Sequence, residues 1–265
     1  GVVDSIWFNQ GQVCCAGSRI LVQETVAQTF TARLTARLGK LRVGDPLDKS
    51  TDIGALVDPV QLQRVEALVA EGQAQGARLH QSTCPLPAKG TFFAPGFFTE
   101  VAPANVLSEI EIFGPVATLT TFRTPDEAVE LANNTRYGLA ASIWSENINL
   151  ALDAASQVKA GVVWINGTNI FDAAAGFGGY RESGFGREGG REGMLAYLAA
   201  PPVKARAEAA PIAPDTAPQP GHAAAATGID RTAKLYIGGA QKRPDSGYSY
   251  AVTHKGRVIG LAGLG

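Results

Sequence analysis

The sequence has few of the side chains that bind metals or form disulfides. It contains 3 Cys and 3 His among 265 residues. Cys14 and Cys15 are adjacent, and Cys84 lies far along the chain in a Pro-flanked segment. Because this pattern lacks the ligand spacing of a zinc site, we expect no bound metal. The odd, sparse cysteine count disfavours a disulfide scaffold and favours a reducing compartment, so we expect a cytoplasmic location.

The sequence also lacks a charge bias and a long apolar run. Lys and Arg total 23 and Asp and Glu total 24, for a formal net charge of -1. Such a balance gives no electrostatic signature of nucleic-acid binding. No apolar run approaches the roughly 20 residues that cross a bilayer. We therefore expect neither nucleic acid nor a membrane as partner, and the first residues lack the basic start of a signal peptide.

Strand and helix patterns alternate over residues 18–166. Period-two or continuous apolar runs predict strands at residues 19–23, 115–122, 139–144 and 162–166. Apolar stripes and capping residues predict helices at residues 25–41, from residue 58, at 124–133 and at 148–158. The last strand, helix and strand imply parallel pairing through a right-handed crossover. The predicted fold class is therefore α/β, with a sheet that contains parallel strands and has flanking helices.

The character of the chain changes after residue 199. Residues 200–230 are rich in Pro and Ala, a composition that predicts an extended linker. Strand patterns return in residues 231–265, with a hairpin expected at residues 252–262 and Gly256 at its turn. We therefore expect a folded domain at residues 1–199, a linker at 200–230 and the start of a second, truncated module at 231–265.

The most informative segment is residues 8–19, which read FNQGQVCCAGSR. This run resembles the active-site cysteine signature of the aldehyde dehydrogenase superfamily, in which Gly-Gln and one further residue precede the nucleophile. The resemblance selects Cys14 as the catalytic residue. An isolated cysteine is usually inert packing, but the surrounding run favours the nucleophile. Cys15 keeps the packing interpretation, with oxidation together with Cys14 as an open alternative.

Two further segments carry the same resemblance. Residues 109–116 read EIEIFGPV, and the family pattern assigns Glu111 to the ribose of the nicotinamide half and Phe113 to the nicotinamide itself. Residues 177–189 match a family loop that packs against the catalytic region. Gly184, Gly186 and Gly189 also satisfy G-x-G-x-x-G. Because a polar, turn-rich stretch precedes them instead of a strand, we expect structural glycines and not a phosphate site.

The resemblance implies an aldehyde dehydrogenase catalytic domain that uses NAD or NADP. The implied reaction oxidises an aldehyde to a carboxylic acid through a cysteine thiohemiacetal and thioester, in a protein that forms homo-oligomers. The family's aldehyde tunnel is lined at positions occupied here by Val13, Cys15, Asn169, Ile170, Phe171 and Phe177. Ile170 and Phe171 weakly favour an apolar aldehyde.

In this family, a nucleotide-binding domain, an oxyanion asparagine and a glutamate base precede the cysteine. We therefore expect a fragment that is inactive alone. Residues 231–265 resemble the start of another aldehyde dehydrogenase, which would suit a tandem, family-16 type. Two alternatives stay open. One is a non-catalytic scaffold or interaction module. The other is acyl transfer without redox chemistry, which no histidine placed near Cys14 supports.

Overall fold

The computed structural model describes residues 1–199, 235–237, 240–242 and 249–263. The chain divides into two compact units, Gly1–Ala199 and Ala200–Gly265. The predicted linker at residues 200–230 lies outside the described residues.

The first unit alternates helices and strands. Its helices are α1 Val2–Ile6, α2 Glu24–Leu38, α3 Pro59–Ala74, α4 Val106–Glu109, α5 Pro125–Asn133, α6 Ile148–Gln157 and α7 Gly190–Leu195. Its strands are β1 Arg19–Gln23, β2 Arg78–Gln81, β3 Gly96–Thr99, β4 Val116–Phe122, β5 Ala140–Ile143 and β6 Val162–Ile165. Short 3-10 turns span Phe8–Gly11 and Arg181–Ser183.

Parallel pairing dominates both sheets of this unit. The main sheet has the order β1-β4-β3-β2, in which β1 and β3 run parallel to β4 and β2 runs antiparallel to β3. Strands β5 and β6 pair in parallel, and α6 connects them. The predicted α/β class and the predicted strand–helix–strand unit are confirmed.

Two helices begin at the residues that the capping patterns predict. The Asp58 carboxylate accepts a hydrogen bond from Val60 N over 2.7 Å, and Pro59 occupies the first helical position of α3. Thr124 Oγ1 accepts from the backbone N of Glu127 over 3.2 Å at the start of α5. These caps satisfy backbone donors that the first helical turn leaves without partners.

The prediction of a helix over residues 25–41 was wrong at its end. Helix α2 stops at Leu38, where Gly39 N donates to Thr35 O over 3.1 Å. The chain then tightens, and Leu41 N donates to Leu38 O. Leu41 is buried in the same core as the helix, so the apolar spacing continues although the helix does not.

Strands β2 and β3 were missing from the sequence prediction. In β3, neighbouring Phe97 and Phe98 are both fully buried and belong to different apolar clusters. The Phe97 cluster includes residues of α1, β1 and α2, whereas the Phe98 cluster includes residues of α3 and α4. A strand that is buried on both faces shows no alternation of apolar and polar residues, so periodicity could not reveal it.

The described parts of the second unit are two hairpins. Strands β7 Leu235–Ile237 and β8 Ala240–Lys242 pair antiparallel, as do β9 Ser249–His254 and β10 Arg257–Gly263. Lys255 and Gly256 join the second pair with φ of 49° and 77°, as a primed two-residue turn requires. The hairpin predicted around Gly256 is confirmed. Within the described ranges of the chain, no helix is long and apolar enough to cross a membrane.

Candidate active site

Cys14 lies in a turn between α1 and β1. Ala16 N donates to Val13 O over 2.9 Å, which places Cys14 and Cys15 at the two central positions of the turn. Cys14 is exposed, whereas only 8% of the Cys15 surface is accessible. The two neighbouring thiols therefore have opposite environments, and Cys14 is the one that a solute can reach.

A left-handed backbone run precedes the cysteine turn. Asn9, Gln10 and Gly11 have φ of 48°, 58° and 72°, a conformation that is unusual for residues other than glycine. Hydrogen bonds hold it in place. Asn9 Nδ2 donates to Gln12 O over 3.0 Å, and Gln10 Nε2 donates to Ala55 O over 3.2 Å. The side chains of Asn9 and Gln10 thus stabilise this left-handed run, which fixes the backbone conformation just before the cysteine turn.

The first two sequence motifs are in contact. A Cβ atom added to Gly11 would lie 2.0 Å from the carbonyl oxygen of Gly114, so the two backbones approach more closely than any side chain permits. Nearby, Trp7 Nε1 donates to Pro115 O over 3.0 Å in a buried hydrogen bond. The segment that carries Cys14 is therefore packed directly on the segment that carries Glu111 and Phe113.

Two side chains of α3 hold the backbone of the second motif. Gln61 Nε2 donates to the carbonyl oxygens of Ile112 and Phe113, over 3.1 and 3.0 Å. Arg64 Nη2 donates to the carbonyl oxygen of Glu111 over 3.2 Å. Sequence reasoning missed both residues, although their spacing of three places them on one face of a helix.

The Glu111 side chain is half-buried and has free acceptor capacity. Burial raises the pKa of its carboxyl group, and the neighbouring Arg64 guanidinium partly opposes that shift. Within residues 1–199, no side chain donates a hydrogen bond to this carboxylate. Phe113 stands two residues away, half-buried, with φ of 54°. A carboxylate with unused acceptor atoms fits the vicinal hydroxyls of a ribose, so these residues suit the cofactor that the sequence predicts.

The loop after β6 reaches the cysteine turn. Cys15 Sγ lies 3.2 Å from Asn169 Oδ1 and donates to it. One residue earlier, Thr168 Oγ1 lies within 3.3 Å of Ser5 Oγ in α1. These contacts bring Asn169 beside Cys15, and Val13 is half-buried in the turn itself. That these residues line a substrate tunnel stays a prediction.

Three aromatic rings meet beside this loop. The Phe171 ring is edge-on to Trp164 and Phe177, with centroid distances of 5.7 and 5.1 Å, and the Trp164 and Phe177 centroids lie 6.5 Å apart. The side chains of Ile170 and Phe171 are 66% and 59% exposed. The strand predicted at residues 162–166 includes Trp164. All four residues of β6 are only half-buried, and Trp164 belongs to the aromatic cluster.

The glycine-rich loop does not follow a strand. The 3-10 turn Arg181–Ser183 precedes Gly184, and a Cβ atom on Gly178 would lie 2.1 Å from the carbonyl oxygen of Gly186. Gly178 thus permits a close backbone contact with Gly186, and the absence of a phosphate site at Gly184, Gly186 and Gly189 stays a prediction. In the described part of the chain, no three His, Cys, Asp or Glu side chains group as metal ligands.

The chain matches the model of a known protein family. The model of the aldehyde dehydrogenase family matches residues 1–203. The chain belongs to the aldehyde dehydrogenase family. An aldehyde dehydrogenase of Enchytraeus buchholzi is 43% identical over 194 residues, which are 73% of this chain and 39% of that protein. Human retinal dehydrogenase 2 is 41% identical over 192 residues, 72% of this chain and 37% of that protein.

Solved structures agree with the sequence relatives. A Staphylococcus aureus betaine aldehyde dehydrogenase, solved in complex with NAD+, is 36% identical with a TM-score of 0.71. The match covers 75% of this chain and 40% of that one. The chain thus spans about 40% of the length of the relatives that it matches.

Proposed function

We propose that this chain carries the nucleophile and the nicotinamide-side contacts of an enzyme that oxidises an aldehyde to a carboxylic acid with NAD+ or NADP+. The observation that carries the proposal is the exposed Cys14, in a segment whose Gly11 packs against Gly114, next to Phe113. The names of the relatives support it, as does a structural neighbour solved with NAD+.

In the proposed reaction, the Cys14 thiolate adds to the carbonyl carbon of the aldehyde. A C–S bond forms, and the carbonyl electron pair moves to oxygen. The backbone N–H of Cys14 has no acceptor among the described residues and is available to the developing oxyanion. Bound NAD(P)+ supplies a two-electron acceptor for the hydride of the adduct carbon. Cys14 then retains the acyl group as a thioester until water releases the acid and restores the thiol.

We assign Glu111 and Phe113 to the nicotinamide half of the cofactor. The unpaired acceptor oxygens of Glu111 would receive the ribose hydroxyls, and the Phe113 ring would lie against the nicotinamide. Gln61 and Arg64 support these roles indirectly, because they fix the backbone on which both side chains stand.

Turnover by the natural protein that carries this chain tests the proposal. We expect Cys14→Ala to lower aldehyde-dependent NAD(P)H formation by about 10³-fold or more. Cys84→Ser is the matched control, because Cys84 lies outside every motif, and it should keep its rate. Aldehyde-dependent turnover that survives in Cys14→Ala would contradict the assignment. A folded wild-type protein without turnover would favour the scaffold alternative.

We further propose that residues 1–265 alone do not catalyse the oxidation of aldehydes. The chain spans about 40% of its relatives, and neither described histidine, His80 in β2 nor His254 in β9, belongs to the cysteine turn. A base for thioester hydrolysis would then come from the rest of the longer protein. NAD-dependent turnover by the purified chain would contradict this.

We also propose that residues 231–265 begin a second module of a tandem protein. The two hairpins support a folded segment there. The intact mass of the natural gene product tests this, since a tandem protein must greatly exceed 27.6 kDa. From the family likeness we propose a homo-oligomer, and from the unpaired cysteines a cytoplasmic location. Light scattering and cell fractionation would check these two points.

A further inference from the structure

Cys15 is a hydrogen-bond donor in the turn that carries Cys14. Its thiol is buried and lies 3.2 Å from Asn169 Oδ1. Burial, and after it the adjacent Cys14, raise the pKa of the Cys15 thiol to about 11. The group therefore keeps its proton at neutral pH and can donate throughout. The bond links the cysteine turn to a segment 154 residues away in the sequence.

Asn169 belongs to a loop in which residues 168, 169 and 170 each form a hydrogen bond to another part of the fold. Its backbone is left-handed, with φ of 54°. On one side, Thr168 Oγ1 meets Ser5 Oγ at 3.3 Å, and on the other, Trp164 Nε1 donates to Ile170 O over 2.9 Å. Of these ties, the bond from Cys15 is the one that reaches the cysteine turn itself.

The tied loop presents two apolar side chains to solvent. Ile170 and Phe171 are 66% and 59% exposed, although Phe171 also meets Trp164 edge-on. Asn169 directly precedes these two residues and accepts the hydrogen bond of Cys15, the residue that follows Cys14. Where they stand relative to Cys14 depends on the loop, and the loop is joined to the turn through Asn169 and Cys15.

We propose that Cys15 and Asn169 are positioning residues, which hold Ile170 and Phe171 in place beside the Cys14 thiol and so give that thiol its preference for apolar electrophiles. In this proposal Cys15 acts through Asn169, in place of the tunnel-lining role that the family resemblance implies for it. The proposal rests on the proposed function only in identifying the natural electrophile as an apolar aldehyde.

Alkylation of Cys14 reads this preference directly. The natural protein is treated with iodoacetamide or with N-benzyliodoacetamide, and the rate at Cys14 is followed by peptide mass spectrometry. The ratio of the two rates cancels any change in thiolate fraction. We expect Cys15→Val and Asn169→Leu to lower the ratio of the N-benzyliodoacetamide rate to the iodoacetamide rate about threefold to tenfold. Without the hydrogen bond, the loop no longer holds Ile170 and Phe171 in position. Cys15→Ser retains a donor and should keep the ratio within about twofold.

Cys84→Val is the matched control, since Cys84 is a partly buried cysteine outside the cysteine turn and outside the loop at residues 168–171. Its ratio should equal that of the wild type. A wild-type ratio in both Cys15→Val and Asn169→Leu would overturn the proposal. So would a loss in Cys15→Ser as large as in Cys15→Val, because packing alone would then explain it. If Cys15→Val fails to fold, the Asn169→Leu variant still tests the proposal, because Asn169 is partly exposed.

Failure of the proposed function is a separate outcome. A protein that forms no NAD(P)H from any aldehyde, yet shows the expected change in alkylation ratio, would keep the positioning role and lose the dehydrogenase. A protein that oxidises aldehydes through Cys14, but whose alkylation ratio is unchanged in Cys15→Val and Asn169→Leu, would keep the dehydrogenase and lose the positioning role.

Discussion

The two segments that flank Cys14 are held in different ways. Before it, backbone meets backbone at Gly11 and Gly114, and a buried indole bonds to Pro115. The other segment is the loop at residues 168–171, which meets the cysteine turn through Asn169. Side-chain hydrogen bonds hold this loop, and it exposes apolar groups. The first segment leaves no room for another side chain, whereas the second can change its side chains at little cost in stability. Close backbone packing thus fixes the segment before Cys14, and side-chain hydrogen bonds fix the loop.

The largest effect should come from Gly11→Ala. A methyl group there would lie 2.0 Å from the carbonyl oxygen of Gly114, at a φ of 72°. Clash and backbone strain together should cost about 3 kcal/mol or more in the free energy of unfolding, measured by urea denaturation. Gly186→Ala is the control, because nothing lies within 4 Å of its added methyl group. Equal destabilisation by the two substitutions would contradict the close backbone contact between Gly11 and Gly114.

Trp7→Phe should have the next effect. Trp7 is 2% exposed, and its Nε1 donates to Pro115 O over 3.0 Å. The substitution removes this bond and leaves Gly96 N, at 2.9 Å, as the remaining donor to the buried carbonyl. It should therefore lower the free energy of unfolding by about 1 kcal/mol. Trp144→Phe, at a side chain that is 50% exposed, should change it by about 0.5 kcal/mol or less. A larger loss at Trp144 would contradict the account.

The buried thiol predicts a pH dependence. The fold raises the pKa of Cys15 from 9.0 to about 11, so it favours the protonated form. That contribution to stability is fully present below the ordinary pKa and is lost as the pH rises through about 11. Denaturation curves of the wild type and Cys15→Ala between these pH values should therefore converge as the pH rises. Curves that diverge would mean that the thiolate is favoured in the folded state.

The smallest effect on stability should come from Ile170→Ala. The side chain is 66% exposed, and its removal should change the free energy of unfolding by about 0.5 kcal/mol or less. Ile6→Ala is the matched control, since Ile6 is fully buried and should lose about 2–5 kcal/mol. A large loss at Ile170 would show that the loop is part of the core rather than an adaptable surface.

The sequence predicts what local rules determine. Asp58 and Thr124 mark helix starts, and residues 139–166 show the parallel unit, because caps and periodicity act over a few residues. Strand β3 was missed because burial on both faces erases alternation. Cys14, Glu111 and Phe113 could be named from motif resemblance.

The contacts between motifs could not be predicted in the same way. Gly11 meets Gly114 through the backbone, and the bond from Cys15 to Asn169 spans 154 residues of sequence. Neither contact has a local pattern, since both depend on how the sheet and its helices pack. Gln61 and Arg64 look like ordinary polar residues of a helix until the fold places them beside the second motif.

Trapping the covalent intermediate tests the central claim most directly. The natural protein would be mixed with an apolar aldehyde and NAD+ or NADP+, quenched in acid during turnover and analysed by peptide fragmentation. We predict an acyl group on Cys14, with no acyl group on Cys15 or Cys84 and none in Cys14→Ala. Turnover with the acyl group on another residue, or turnover that persists without Cys14, would contradict the account.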